Sequence, residues 1–179
     1  VKVEVIRMDS TEQQQDILLR HILHGGRDYH GLIMQLPIPV EYSLDDVLNL
    51  YPMSVDVDVL GNTAYRQFLE QNLPFLPPVV GAFEEIVNRH KVRLGGANVV
   101  VAGEGRLVGA PAATWMRRVG ARVTVANKET QDLGALTREA DIVVLGTGNP
   151  GLLTPDMIKE GAVVLDAGTG EMAGVVQGD

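Results

Sequence analysis

Strand-like and helix-like segments alternate from Val80 to Asp166, and few architectures accept that rhythm. The pattern predicts a helix to about Lys91, a strand over 98–102, a helix over about 108–119 and a strand over 122–126. A short helix, a strand over 142–145, a helix over 155–159 and a strand over 162–166 follow. Strands alternating with helices imply right-handed βαβ units on a parallel sheet, hence an α/β fold. Composition agrees: 20 Gly and 9 Pro against 4% aromatics point to many turns and a core of Val, Leu, Ile and Ala.

The first part of the chain is less regular. Val3, Val5 and Met8 mark a strand-like opening, and Ser10-Thr11-Glu12-Gln13 offers a capping box for a helix to about Leu23, ended by Gly25-Gly26. Gly31-Leu32-Ile33-Met34-Gln35-Leu36 reads as a short buried strand stopped by Pro37 and Pro39. Ser43 is placed to cap a helix whose first turn carries Asp45 and Asp46. Residues 52–61 are irregular, and a helix is predicted over about 63–71. The proline cluster Leu73-Pro74-Phe75-Leu76-Pro77-Pro78 cannot be helix interior, and the domain boundary is placed there, dividing 1–76 from 77–179. The 179 residues with 45% hydrophobic content allow one large domain or two small ones. A chain that opens at Val1 and stops after a strand-like stretch is expected to lack both natural ends.

Charge and residue usage exclude several classes of function. The formal net charge of −8 repels phosphate backbones and anionic lipid, so nucleic acid is not an expected partner. With no cysteine, thiol nucleophiles, disulfides and Cys-ligated zinc are excluded, and a cytoplasmic location fits. No apolar run approaches the roughly 20 residues of a membrane span. His21, His24, His30 and His90 show no ligand spacing, and Asp56 and Asp58 alone make an incomplete shell, so no metal is expected.

The sharpest motif is Gly103-Glu104-Gly105-Arg106-Leu107-Val108-Gly109, set between a strand and a helix. It is one residue longer than the usual dinucleotide fingerprint. Gly103 would allow the turn, Gly105 the approach of a pyrophosphate, and Gly109 close packing of helix on sheet. A glycine-rich turn without a ligand is the competing interpretation. Selection between NAD and NADP belongs at the end of the next strand, at Asn127-Lys128-Glu129-Thr130. Asn127 and Lys128 suit a 2′-phosphate, whereas Glu104 opposes one. Gly146-Thr147-Gly148 and Gly168-Thr169-Gly170 follow strands at the ligand-binding edge and either line a nicotinamide cleft or are plain turns. Gln35, at the end of a strand, and the Asp56-Val57-Asp58 stretch are further candidates, or loop aspartates capping their own backbone.

Gln35-Leu36-Pro37-Ile38-Pro39, Asp56-Val57-Asp58, Phe75-Leu76-Pro77-Pro78, the segment 103–111 and Gly146-Thr147-Gly148-Asn149-Pro150-Gly151 occur in that order. With them the chain resembles the bifunctional methylenetetrahydrofolate dehydrogenase/methenyltetrahydrofolate cyclohydrolase family nearly end to end. Residues 161–168 and the closing Gln177-Gly178-Asp179 agree. The resemblance implies an N-terminally incomplete α/β folate-binding catalytic domain over 1–76 and a Rossmann-like doubly wound parallel-sheet domain binding NAD(P) over 77–179. It implies oxidation of the methylene bridge by NADP, or by NAD given Glu104, and opening of the methenyl ring by water to 10-formyltetrahydrofolate. The implied partners are tetrahydrofolate one-carbon derivatives and a second copy of the chain in a homodimer.

By the same resemblance Gln35 supports a catalytic Lys, Asp58 grips the pterin edge and Pro37 lines the substrate. Gly103, Glu104, Gly105, Arg106, Val108, Gly109, Asn127, Lys128, Thr147, Gly148 and Thr169 fall on the cofactor. The chain departs from the family in three places. No Tyr-x-x-x-Lys precedes Gln35, Glu104 stands where many members have Arg, and Val59 replaces a Gly or small residue. The family's Pro-Gly-Gly-Val-Gly-Pro segment and closing helix would lie beyond Asp179. A shikimate dehydrogenase-like enzyme and a non-catalytic nucleotide- or folate-binding homologue are the alternatives.

Overall fold

Val99, Val100, Val101 and Ala102 are all buried, so the strand that carries them is covered on both faces. The computed structural model describes residues 2–7, 20–22, 24, 27–38, 43–172 and 175–179. It divides into two compact units, 1–76 and 77–179.

In the second unit, α3 (Pro78–Arg89) leads to β1 (Asn98–Ala102), α4 (Gly109–Arg118), β2 (Arg122–Ala126), α5 (Leu133–Arg138), β3 (Ile142–Leu145) and β4 (Val163–Asp166). The four strands form one parallel sheet in the order β2-β1-β3-β4. Successive side chains alternate between faces. Val100, Ala102, Val143 and Leu145 meet Leu133 and Leu136 of α5 on one face. The alternate set, Val99, Val101, Ile142 and Val144, is equally buried, and α4 packs along β1, β2 and β3. A hairpin of β5 (Gly170–Met172) and β6 (Val175–Gln177) follows.

The sheet order locates the binding edge. The chain runs from β1 outward to β2, then crosses back over β1 to β3, so its direction reverses between β1 and β3. Ligands of such sheets bind outside the carboxyl ends of the strands at that reversal.

The first unit contains α1 (Leu44–Leu50), a 3-10 turn at Met53–Val55 and α2 (Asn62–Leu69). Ile22, Met34, Val47, Leu48, Tyr51 and Leu60 form one apolar cluster, and Val59, Ala64 and Phe68 another. Residues 31–36 make one parallel bridge, Leu32 with Asp56, with the Leu32 N–H donating to the Val55 carbonyl at 2.7 Å.

Several sequence expectations require correction. Residues 2–7 form no strand. Val3 and Val5 are each 76% exposed and pair with no neighbour among the described residues, and a strand without a ladder does not persist. The helix expected at 10–23 lies mostly outside the described residues, as do Met8, Gly25, Gly26 and Pro39, although 20–22 are helical. Ser43 stands at the N-cap of α1 without a hydroxyl cap bond. The segment at 155–159 shrinks to a 3-10 turn, Pro155–Met157. Helices α2 and α3 stop two residues early because Gln71 and Lys91 take left-handed φ of 61° and 54°.

Candidate functional site

At the reversal point the loop between β1 and α4 is held by glycines whose roles separate. Gly103 has φ +95°, and a Cβ there would lie 2.7 Å from the Gly146 carbonyl oxygen. A Cβ on Gly109 would overlap the Gly103 carbonyl oxygen, so this glycine lets the helix start directly beneath the turn. A Cβ on Gly105 would meet nothing within 4 Å, which leaves open space above the loop. The Gly103 N–H donates to the Ala126 carbonyl at 2.8 Å, and the Gly146 N–H to that of Ala102 at 3.0 Å. Val108 packs its side chain on Gly146, while Arg106 is half-buried. A backbone turn with open space at its middle glycine, on the carboxyl edge of a parallel sheet, fits a dinucleotide pyrophosphate.

Beside it, the Asn127 side chain donates to the Glu104 carboxylate at 3.3 Å. The Asn127 turn is closed by its N–H to Thr130 Oγ1 at 3.0 Å and by the Glu129 N–H to Asn127 Oδ1 at 2.9 Å. Lys128 is exposed, and it makes no ion pair with Glu104 among the described residues. The structure therefore brings Glu104 and Asn127 together at the end of β2, where a ribose would lie.

Thr147, Gly148 and Thr169 are exposed on the loops after β3 and β4. Thr147 and Gly148 donate to a residue that the sequence marks only within the closing Gln177-Gly178-Asp179, with no role. The Asp179 carboxylate, on a residue 6% exposed, accepts from the N–H groups of Thr147 (2.6 Å), Gly148 (3.1 Å) and Asn149 (2.7 Å) and from Thr147 Oγ1 (2.7 Å). Its donors lie about thirty positions away and are mostly backbone, so no side-chain spacing announces them.

In the first unit Gln35 and Pro37 are exposed beside an open apolar depression lined by Leu36, Pro37, Ile38 and Leu44. Gln35 Nε2 donates to the Leu36 carbonyl at 3.3 Å, and the Leu36–Pro37 peptide is cis. The two aspartates divide their work. Asp56 is buried and accepts from the N–H groups of Leu60 at 3.0 Å and Gly61 at 2.7 Å, so it braces its own loop. Asp58 is half-buried, and burial first, then the nearby Asp56 charge, raise its pKa above the ordinary carboxylate value. Burial, with the charges of Asp56 and Asp58, likewise drives the Tyr51 phenol well above its usual range. No three His, Asp or Glu side chains gather as a metal site among the described residues.

Val59, next to Asp58, is buried in a left-handed conformation with φ 57°. A β-branched residue is strained there. Val59→Ala keeps that strain and forfeits apolar burial, whereas Val59→Gly also relieves roughly 1–2 kcal/mol of backbone cost. Urea denaturation is expected to rank Gly at or above Ala, the reverse of the ordinary order for a buried position. Ala clearly above Gly would mean that the conformation carries no strain.

Comparison with known proteins places these features. The profile of the tetrahydrofolate dehydrogenase/cyclohydrolase family, NAD(P)-binding domain, matches residues 77–179. The bifunctional protein FolD of Lactobacillus acidophilus is 36% identical over 169 residues, covering 94% of this chain and 60% of the relative. A crystal structure of the FolD methylenetetrahydrofolate dehydrogenase/cyclohydrolase of Campylobacter jejuni superposes with a TM-score of 0.82 at 31% identity, over 92% of this chain and 60% of that one. The Trypanosoma brucei enzyme, solved with NADP and an inhibitor, gives the same TM-score, identity and coverage. The chain thus spans about 60% of the length of these relatives. Their fold is the α/β arrangement with the parallel sheet described above.

Proposed function

Because this chain belongs to the tetrahydrofolate dehydrogenase/cyclohydrolase family, we propose that it serves NADP-dependent oxidation of 5,10-methylenetetrahydrofolate and hydrolysis of the 5,10-methenyl product to 10-formyltetrahydrofolate. The methylene carbon loses a hydride with its electron pair. Water then adds to the resulting methenyl carbon, a proton departs, and the bond to N5 opens to leave a formyl group on N10. NADP, when bound, supplies the hydride acceptor.

The observation that carries the proposal is the loop between β1 and α4, with its open space at Gly105 on the carboxyl edge of the sheet. Gly103, Gly105, Arg106, Val108 and Gly109 would hold the pyrophosphate, Asn127 and Lys128 the ribose side, and Thr147, Gly148 and Thr169 the nicotinamide side. Asp58 would bind the pterin. A carboxylate offers two oxygens to the paired N–H groups of an aminopyrimidine edge, and this one is half-buried beside the charge of Asp56. Gln35 would hydrogen-bond the group that carries protons, and Pro37 would border the substrate. A homodimer through the nucleotide-binding unit belongs to the same proposal; Val175 and Val176, 58% and 72% exposed, are apolar surface that such a contact would cover.

Paired calorimetric titrations test it. The chain is expected to bind NADP and, separately, tetrahydrofolate; failure to bind either NADP or NAD would end the proposal. Turnover extends the test in the full-length protein, since this chain carries no Tyr-x-x-x-Lys ahead of Gln35: NADPH is expected from 5,10-methylenetetrahydrofolate and none from shikimate.

Among the described residues no helix is long and apolar enough to cross a membrane.

A further inference from the structure

We propose that Asp179 is a positioning residue for the nicotinamide half of the dinucleotide site. The inference rests on the dinucleotide-binding function proposed above. Sheet order sets the direction of such a ligand. With the pyrophosphate on the loop after β1 and the adenosine ribose toward Glu104 and Asn127 at the end of β2, the other half must run over the ends of β3 and β4. The loops there are 146–149 and 167–170, and Asp179 joins them.

Its carboxylate draws three consecutive N–H groups and the Thr147 hydroxyl onto one buried point. Its own carbonyl accepts from the Leu153 N–H at 3.0 Å, so the residue is tied on both sides. The second loop is fitted against the same group: a Cβ on Gly168 would overlap the Asp179 carboxylate, and one on Gly148 would lie 3.0 Å from the Thr169 carbonyl oxygen. The Gly168 N–H donates to Asp166 Oδ1 at 2.9 Å, and a Cβ on Gly178 would overlap the Asp166 carboxylate. Three segments far apart in sequence therefore interlock around one charge.

A run of converging N–H groups is otherwise an anion site. Filled by Asp179, it is withdrawn from ligand phosphates, which leaves the pyrophosphate to the loop after β1. What the 147–149 turn then presents is a fixed wall for the nicotinamide ring. Without the carboxylate the turn has four donors and no shared acceptor, and it loses its shape.

The test compares two ligands on the same protein, NADPH and 2′-phospho-ADP-ribose, which lacks the nicotinamide half. Asp179→Asn puts an amide N–H against N–H donors. It is expected to weaken NADPH at least about tenfold while leaving 2′-phospho-ADP-ribose within about twofold, because charged hydrogen bonds of this kind are worth such factors. A purely structural role would lower both affinities alike, and that result, or no change in either, overturns the inference while the proposed function stands. If the wild-type chain binds neither ligand, the function and the inference fall together. Should Asp179→Asn not fold, Asp179→Glu keeps the charge but displaces it by one methylene from the N–H groups of 147–149. An NADPH-specific loss of about threefold is then expected, and no such loss overturns the inference.

Discussion

Asp58→Asn is expected to bind tetrahydrofolate about 10- to 100-fold more weakly, the usual cost of losing a charge-assisted pair, while folding slightly more tightly at neutral pH. Both effects follow from one fact. Burial and Asp56 raise the Asp58 pKa, so the folded chain holds this proton more firmly than the unfolded chain does. Stability attributable to Asp58 is therefore full below the ordinary carboxylate range and declines as pH rises through the raised folded value. Removing the charge returns that stability at neutral pH, by less than about 1 kcal/mol for a half-exposed group, and returns nothing in acid. NADP affinity should not move, since the dinucleotide loop belongs to the other unit. Thermal unfolding at neutral and acid pH, with folate and NADP titrations, reads all three. An unchanged folate affinity takes Asp58 out of the site, and a drop in neutral-pH stability contradicts the burial argument.

Glu104→Arg should move the NADP-to-NAD affinity ratio toward NADP on the order of 100-fold, because a repelling carboxylate is exchanged for a guanidinium that can chelate the 2′-phosphate. The position of Glu104 supports that size. Its partner Asn127 closes the turn at the end of β2, so the carboxylate is turned toward the ribose side of the loop. Both groups are exposed, and the shift should shrink as salt rises. Titrations of both cofactors at low and high salt make the measurement; a ratio that stays put would mean that Glu104 faces solvent and leaves selection to Lys128.

What the sequence makes legible follows from where its physics is local. The strands at 98–102 and 142–145 lie where the sequence predicts them, because apolar runs bracketed by glycine and polar residues admit little else, and 122–126 does so through the alternation of Val123 and Val125 with Arg122 and Thr124. The glycine roles are equally readable, since Gly103 and Gly109 meet atoms within a few positions or in the adjoining strand loop. The opening Val3 and Val5 mislead because alternation specifies a strand only if a neighbour exists to pair with it. The 155–159 segment is shortened because five residues with a leading proline scarcely nucleate a helix. Left-handed Lys91, Gln71 and Val59 are non-glycine residues whose conformation is imposed by the surrounding chain. Asp179 is legible only as part of the closing Gln177-Gly178-Asp179, and its bonding is not, since its partners are distant and mostly backbone groups. Asp56 shows the converse: the possibility that it caps its own backbone is visible locally, and that is its structural work.

The lone bridge between Leu32 and Asp56 works as a registration mark. Gln35 stands three residues past one side of it and Asp58 two past the other. Loss or gain of one residue on either short arm would displace Gln35 or Asp58 relative to the bridge. The chain joining the two arms has no such duty at its loops. The spacing of the two arms from their common bridge thus sets where Gln35 and Asp58 stand relative to one another.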